Sequence, residues 1–568
     1  MKRLIQSDKV KYGLMLVHAL CTFLWSGRVF KNVGVIAIGS KAMNQVISDR
    51  MEQCLAHVIS EGIALLLVWL FWTITFHVLR KFRKSYLFFG LLYVIGAVVL
   101  VLAWPGVFEV SMDNVITYSS AVRLTPDYWH CAYSSYAYAG CLLFFPLDFM
   151  ILIVQWSFFT FGLAYAFYRL ERIAPRLRWL VFGVLLLPNT ILVIRDSYRI
   201  YQYLTIVLIY VTLICCDVLE KRERKGIEYL WIAALGAFLS VWRTECILFC
   251  PVFFLAHVLC TQKGNAWKKV RPVLTFAVLF LLILTPQKLG EIKYYGKDYQ
   301  IMNSLYPLQA FMKSRETNLS YAGAQKDLDA ISMVVPLAYV KEYGIGGYHR
   351  YNYNVLGNKD LNQSLATSKD ASAYVRAYYS IWLHNPKNVA RLVWDNLLYA
   401  FSIRHVYFKN VPIPKEEHVE LEPAGMEMWE DAAKDLHENG HTIRLGELTS
   451  RLGITEKLIK VHETYSDFVF ARHGNLYAFF VFCICNLVMF VIGAIRYLRK
   501  KDLGSFAFGL IGLAMFGEYL GLLLLAPVPN LVYFLISDYV SVAYLFYALL
   551  FYLGRKRKAS DGKIKEHE

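Results

Sequence analysis

The sequence predicts an all-α polytopic membrane protein of about twelve transmembrane helices with one large, mainly helical segment outside the membrane. Two observations carry this. Apolar residues make up 57% of the 568 residues and charged residues only 18%, with a mean hydropathy of +0.40. The apolar residues also lie in runs of about twenty, the length a helix needs to cross about 30 Å of hydrocarbon. Backbone polar groups in lipid must be satisfied inside the segment, so such runs are helices.

The first run covers Tyr12 to Phe30, and its polar edges fit a retained anchor better than a cleaved leader. Further spans are expected at 61–80, 85–104, 142–168, 179–194, 201–217, 229–244, 245–260 and 272–287, then at 474–497, 503–526 and 531–553. This divides the chain into an N-terminal pair of spans (1–84), a core with an outer loop at 105–141 (85–287), the outer segment 288–473, C-terminal spans (474–554) and a basic tail (555–568).

The net charge of +17 sits in short clusters between spans: Arg80–Lys84, Arg169–Arg178, Lys221–Lys225, Lys263–Arg271, Arg496–Lys501 and Arg555–Lys558. Clusters in short loops are the positive-inside signal rather than a nucleic-acid surface. With every cluster inside, both termini are cytoplasmic, and 31–60, 105–141, 195–200 and 288–473 face outward. A bacterial plasma membrane is the expected location. The eleven Cys fall mostly within spans and show no CxxC pair, which suits buried small hydrophobes. A Cys131–Cys141 disulfide is an open alternative but not the expected state.

The segment 288–473 contains Gly344-Ile345-Gly346-Gly347 and a mixed-charge stretch from Lys415 to Lys460. Residues 374–403 place apolar and aromatic positions at helical spacing, predicting an amphipathic helix pair on the membrane surface or against the bundle. Asn318-Leu319-Ser320 and Asn362-Gln363-Ser364 are N-glycan acceptor tripeptides that matter only in a eukaryotic host.

Chemistry concentrates in the loop that follows the third span, Trp104-Pro105-Gly106-Val107-Phe108-Glu109-Val110-Ser111-Met112-Asp113-Asn114. A short helix at 115–122 and Pro126-Asp127-Tyr128-Trp129-His130 come next. A carboxylate at the membrane–water boundary can take a proton from an acceptor hydroxyl, or hold a divalent ion, while a lipid-anchored partner stays in place. The structural alternative is that Asp113 or Ser111 caps the following helix.

The order of span, Pro-Gly, outer-loop Asp, short helix and His resembles the GT-C superfamily, in its bacterial branch similar to protein mannosyltransferases and the aminoarabinose transferase. Ile194-Arg195-Asp196-Ser197-Tyr198, Trp242-Arg243-Thr244-Glu245 and Trp382-Leu383-His384-Asn385-Pro386 match further short patterns of that branch. The resemblance covers roughly residues 85–400. It implies transfer of a sugar from a polyprenyl-phosphate-linked donor to a glycan, lipid or protein acceptor outside the membrane. Asp113 would be the general base. Glu109, Asp196 and His130 would shape the acceptor site or hold a metal, and Arg243, with Arg195 and Arg199, would receive the donor phosphate. No cofactor is otherwise implied; a Mg²⁺ or Mn²⁺ ion is the candidate for the carboxylate-rich loop. The chain departs from the branch in its extra N-terminal pair of spans and in Cys131, where Pro is usual after the His.

Three other classes match parts of the sequence. His437-Glu438-Asn439-Gly440-His441, with Glu463 and Asp467 downstream, has HExxH zinc-protease spacing. Gly440 costs about 1 kcal/mol of helix propensity, and the charged surroundings fit a solvated loop better. An O-antigen-type polymerase is expected to rely on Arg-rich outer loops, whereas 105–141 carries one Arg and several carboxylates. A lipid-linked sugar transporter places polar groups in mid-span, and these spans read as mostly clean.

Overall fold

The computed structural model describes residues 7–29, 50–81, 86–102, 112–145, 149–186, 198–224, 226–243, 246–295, 314–337, 368–400, 479–525 and 535–564. Single positions between 300 and 312 and between 457 and 464 are described as well. Every regular element among them is helical. Six helices are long and apolar enough to cross a membrane: Val58–His77, Met150–Ile173, Ile200–Glu220, Ala266–Lys293, Leu503–Leu522 and Leu535–Leu553. Three shorter apolar helices accompany them, Phe89–Leu102, Ile227–Trp242 and Phe249–Thr261.

In chain order the helices are α1 (Asp8–Val29), α2 (Arg50–Lys81), α3 (Tyr86–Leu102), α4 (Met112–Val122), α5 (Ala132–Phe144) and α6 (Met150–Ile173). A 3₁₀ turn (Arg178–Leu186) follows, then α7 (Tyr198–Glu220), α8 (Ile227–Trp242), α9 (Phe249–Thr261) and α10 (Ala266–Tyr295). The outer segment holds α11 (Ala324–Ser332), α12 (Ser368–His384) and α13 (Pro386–Ala400). A π-helical turn (Phe479–Cys485) leads into α14 (Asn486–Lys500), α15 (Leu503–Leu525) and α16 (Leu535–Ile564).

Several expected boundaries are corrected. Residues 50–60, expected in an outer loop, are helical and continue into the span of α2. The loop 105–141 holds α4 and α5, and nearly every described side chain of α4 is buried. The span expected at 142–168 is broken at Phe145, which is extended (φ −155°, ψ 116°). Pro146 is the cause, because the residue before a proline is pushed out of the helical region. The carbonyl of Phe144, released at that break, accepts from His18 Nε2 at 2.6 Å and Thr22 Oγ1 at 3.1 Å on α1. Trp72 of α2 donates to the other His18 nitrogen at 3.2 Å. The N-terminal helices therefore dock on the broken end of α5. Of the stretch 179–194, the described part is the 3₁₀ turn.

The main core joins α7, α8 and α9 to α15 and α16, with Tyr203, Tyr210, Phe249, Phe253 and Tyr544 fully enclosed. A second core joins α4, α5 and α6 to the first turns of α7 and α16. Outside the bundle, α11 and α12 share a small core around Ile331, Tyr374 and Ile381, and α13 packs on α15. The helix pair expected from the 374–403 spacing is α12 and α13, separated at Asn385 ahead of Pro386.

The α14–α15 hairpin shows how sequence sets a tight turn. Lys501 closes α14 in the left-handed region (φ 51°), and its N–H reaches Tyr497 O at 2.8 Å. Asp502 then caps α15, accepting from Ser505 N at 3.3 Å and Ser505 Oγ at 2.6 Å. Gly493 and Gly509 let the two backbones touch; a Cβ on Gly493 would lie 2.5 Å from Ser505 O.

Candidate functional site

Between α4 and α5 the chain makes a joint. Leu124 ends α4 in the left-handed region (φ 56°), with its N–H on Ala121 O at 3.0 Å and Thr125 N–H on Ser120 O at 2.9 Å. This pairing satisfies the last carbonyls of the helix, and a residue with a Cβ in that conformation costs about 1–2 kcal/mol. Pro126 follows, and the chain turns into Asp127.

Asp127 organises the joint. Its Oδ2 accepts from His130 Nδ1 at 2.7 Å, and its Oδ1 accepts from Trp129 N at 3.1 Å and His130 N at 3.4 Å. Its own N–H donates to Ser135 Oγ at 3.1 Å. The two side chains are 1% and 7% exposed. An imidazole held at Nδ1 by a buried carboxylate has its tautomer and orientation set, the arrangement used wherever a His must act at Nε2.

Neighbouring helices close on the joint. Gln287 of α10 accepts from Ala132 N–H at 3.0 Å and donates to Tyr128 O at 3.1 Å and Glu291 Oε1 at 2.9 Å. The Tyr128 ring packs against Gly290, where a Cβ would come within 2.0 Å of it. From α8, Trp242 Nε1 donates to Ser134 Oγ at 2.9 Å, and Ser134 Oγ donates to His130 O at 3.1 Å. Arg243, extended (φ −134°, ψ 130°) and 9% exposed, ends α8 at this point. Cys131 lies among Glu291, Arg243 and Asp127; burial first, and then the Glu291 and Asp127 charges, push its thiol up to about 12 against the pull of a backbone hydrogen bond and of Arg243. Cys131 and Cys141 are both free thiols, and Cys141 accepts from Gln202 Nε2 at 3.1 Å, so no disulfide joins them.

Of the residues singled out in the sequence, His130 and Arg243 are thus brought together. Asp113 sits in the first turn of α4 rather than before it, where a carboxylate is favoured by the helix dipole; its side chain lies outside the described residues. Arg199 is in the first turn of α7, again without a described side chain. Glu109, Arg195, Asp196, His437, Glu438, His441, Glu463 and Asp467 lie outside the described residues. Among the described residues no group of three or more His, Cys, Asp and Glu is placed to hold a metal ion.

Sequence reasoning missed several buried polar atoms that have no hydrogen-bond partner: Thr117 Oγ1 and Ser119 Oγ on α4, Tyr201 OH and Gln202 Oε1 on α7, Ser537 Oγ and Asp538 Oδ1 on α16. Each such atom, if left dry, costs about 1–3 kcal/mol. Lone acids inside apolar runs were the available signal, at Asp538 and at the buried Glu518.

The opposite end of the bundle carries an ionic knot. Asp217 accepts from Arg169 NH2 at 2.9 Å, Arg224 Nε at 2.8 Å and His257 Nε2 at 3.2 Å. Glu220 holds Arg169 as well, at 3.0 Å. The basic stretches 169–178 and 221–225 meet here, and Gln262 reaches Arg224 O at 3.3 Å. The Asp127 joint lies at the other ends of α7, α8 and α10.

Fold and site together define a protein whose described residues are all-helical in their regular elements, with at least six membrane-length helices and a buried, charged joint at one end of the bundle. No protein-family model, no curated protein and no solved structure matches the chain.

Proposed function

We propose that the chain is a membrane glycosyltransferase of the GT-C type, with about twelve spans. It would move a sugar from a polyprenyl-phosphate-linked donor to an acceptor outside a plasma membrane, both termini being cytoplasmic. Asp113 takes the proton of an acceptor hydroxyl, the freed oxygen attacks the anomeric carbon, and the bond from that carbon to the phosphate oxygen breaks. The proton rests on Asp113 and the lipid phosphate leaves with its charge met by Arg243, assisted by Arg195 and Arg199. Glu109, Asp196 and His130 shape the acceptor side.

The observation that carries this reading is the placement of Arg243. It is a nearly buried cation at the end of α8 away from the Arg169–Asp217–Arg224 knot, beside the Asp127–His130 pair and in the joint that follows the helix bearing Asp113.

The test is release of free polyprenyl phosphate by the purified protein in nanodiscs, supplied with a polyprenyl-phosphate hexose and an acceptor glycan. Acceptor-dependent release supports transfer, and its absence across donors of several hexose configurations counts against it. The buried Glu518 and the half-buried Asp538, inside or at the start of membrane-length helices, favour a second reading as a lipid-linked sugar transporter. That reading predicts movement of the intact donor across the bilayer without cleavage.

A further inference from the structure

We propose that the α9–α10 and α14–α15 turns form a docking surface for the headgroups of anionic phospholipids, in the leaflet at that end of the bundle. The proposal stands apart from the transferase reading. The two turns are neighbours: Cys260 Sγ, at the end of α9, lies 4.0 Å from Gly504 O in the first turn of α15. Both turns open membrane-length helices, Ala266–Lys293 and Leu503–Leu522, which puts them at headgroup depth. Local chemistry shapes the first of them. Gly264 takes φ 114°, and Asn265 caps α10 by accepting from Lys268 N at 3.2 Å. The Lys268 chain folds back over the turn, 2.8 Å from where a Cβ on Gly264 would lie. The second turn is the one closed by Lys501 and Asp502.

Charge selects the occupant. Lys263, Lys268, Lys269 and Arg271 lie in and after the first turn, and Arg496, Arg499, Lys500 and Lys501 lead into the second. All but Lys269 and Arg496 are exposed, and among the described residues none of these cations is paired with a carboxylate. The acid in the second turn, Asp502, is taken up by Ser505. The adjoining basic stretches at this end, which Gln262 touches through Arg224 O, are built differently. There Arg169, Arg178, Arg222 and Arg224 are bound to Asp217, Glu220, Glu171 or Glu228. The positive-inside pattern accounts for basic residues in both places, but not for the missing counter-charges in one of them. Unneutralised cations at headgroup depth attract anionic lipid, with a gain of about fivefold for each Lys or Arg. Apolar surface beside them fits acyl chains. Trp267, Val270, Leu274 and Val278 make an exposed stripe along α10 from the first turn, and Leu498, Ile495, Val491 and Val488 make one along α14 from the second. Packing of α10 on α9, α9 on α15 and α15 on α14 sets both stripes on one row of helices. Trp267, at the head of its stripe, is the kind of side chain that anchors at the membrane–water boundary.

The experiment is native mass spectrometry of the full-length protein in detergent, titrated with phosphatidylglycerol or with phosphatidylcholine of the same acyl chains. The expected result is a preference for phosphatidylglycerol of at least about 25-fold. Lys268→Gln with Lys500→Gln, one exposed cation from each turn, is expected to weaken phosphatidylglycerol binding about 25-fold and leave phosphatidylcholine binding in place. Lys263→Gln with Arg499→Gln repeats the test at two further exposed positions and is expected to unfold at the wild-type temperature. Arg172→Gln with Arg176→Gln removes the same charge from the adjoining stretch, also at exposed positions, and is expected to keep the preference. Equal affinity of the wild type for the two lipids overturns the proposal. So does an equal loss in all three double variants, which would make the preference a matter of net charge alone. Displacement of phosphatidylglycerol by glycerol phosphate at the lipid's own concentration overturns the choice of a lipid over its free headgroup anion. None of these readouts involves sugar transfer, so the surface and the transferase reading stand or fall separately.

Discussion

His130 donates from Nδ1 to Oδ2 of Asp127 across 2.7 Å, while the other oxygen of that carboxylate holds the N–H groups of Trp129 and His130. One buried acid thus fixes both the backbone of the joint and the ring it presents. Replacing it with alanine strands three donors in a site that water scarcely reaches. We expect Asp127→Ala to destabilise the protein by about 2–4 kcal/mol, and Asp127→Asn, which keeps one acceptor oxygen, by roughly half of that. Thermal unfolding in nanodiscs reads both. An unchanged midpoint for Asp127→Ala would show that the joint is not held in this way.

Arg243 ends α8 within that same assembly. If it receives the departing lipid phosphate, Arg243→Gln should slow transfer about 100-fold, because the developing charge loses a placed cation. Arg243→Lys keeps the charge without the planar fork and should recover part of the rate. Release of polyprenyl phosphate is the readout, and equal rates for Gln and wild type would remove Arg243 from the chemistry.

At the other end, Asp217 takes hydrogen bonds from Arg169, Arg224 and His257 and is fully buried with its partner His257. Removing one member of a buried charged set leaves the others uncompensated, at about 3–5 kcal/mol. We expect Asp217→Ala to lower the unfolding temperature and the yield of folded protein, with no selective effect on transfer by the fraction that folds. A variant as stable as wild type would mean the knot is solvated and dispensable.

Gly493 and Gly517 provide a matched pair on the C-terminal hairpin. A Cβ at Gly493 meets Ser505 O at 2.5 Å and Gly509 Cα at 2.8 Å, both backbone atoms that cannot swing away. Gly493→Ala should therefore destabilise by about 1–3 kcal/mol despite its better helix propensity. At Gly517 nothing lies within 4 Å, so Gly517→Ala should be neutral or stabilising by up to about 1 kcal/mol. Equal effects at the two sites would contradict the packing of α14 on α15.

What could be read from the sequence follows from the range of each signal. Long apolar runs announce themselves locally, so α7, α10, α15 and α16 were legible, as were α12 and α13 from helical spacing ended by Pro386. The break at Phe145 was hidden because the apolar run continues through it; Pro146 was the only local sign. From α4 to the start of α5 the sequence reads as an outer loop because Ser119, Ser120, Arg123 and Thr125 are polar, yet the fold buries them all. Nothing local to Asp127 says that it folds onto a His three residues on in a joint sealed by Gln287 and Trp242, more than a hundred residues away. Tyr201 and Tyr539 share a core only because α7 and α16 pack, a relation that neither segment encodes alone.

The central claim is that Asp113 is the base of a sugar transfer. Its most direct test is the initial rate of acceptor-dependent polyprenyl phosphate release by Asp113→Asn, measured beside wild type in nanodiscs at matched folded protein. The account predicts a loss of about 100-fold to 10,000-fold with an unchanged unfolding temperature. A variant that transfers sugar at close to the wild-type rate contradicts it.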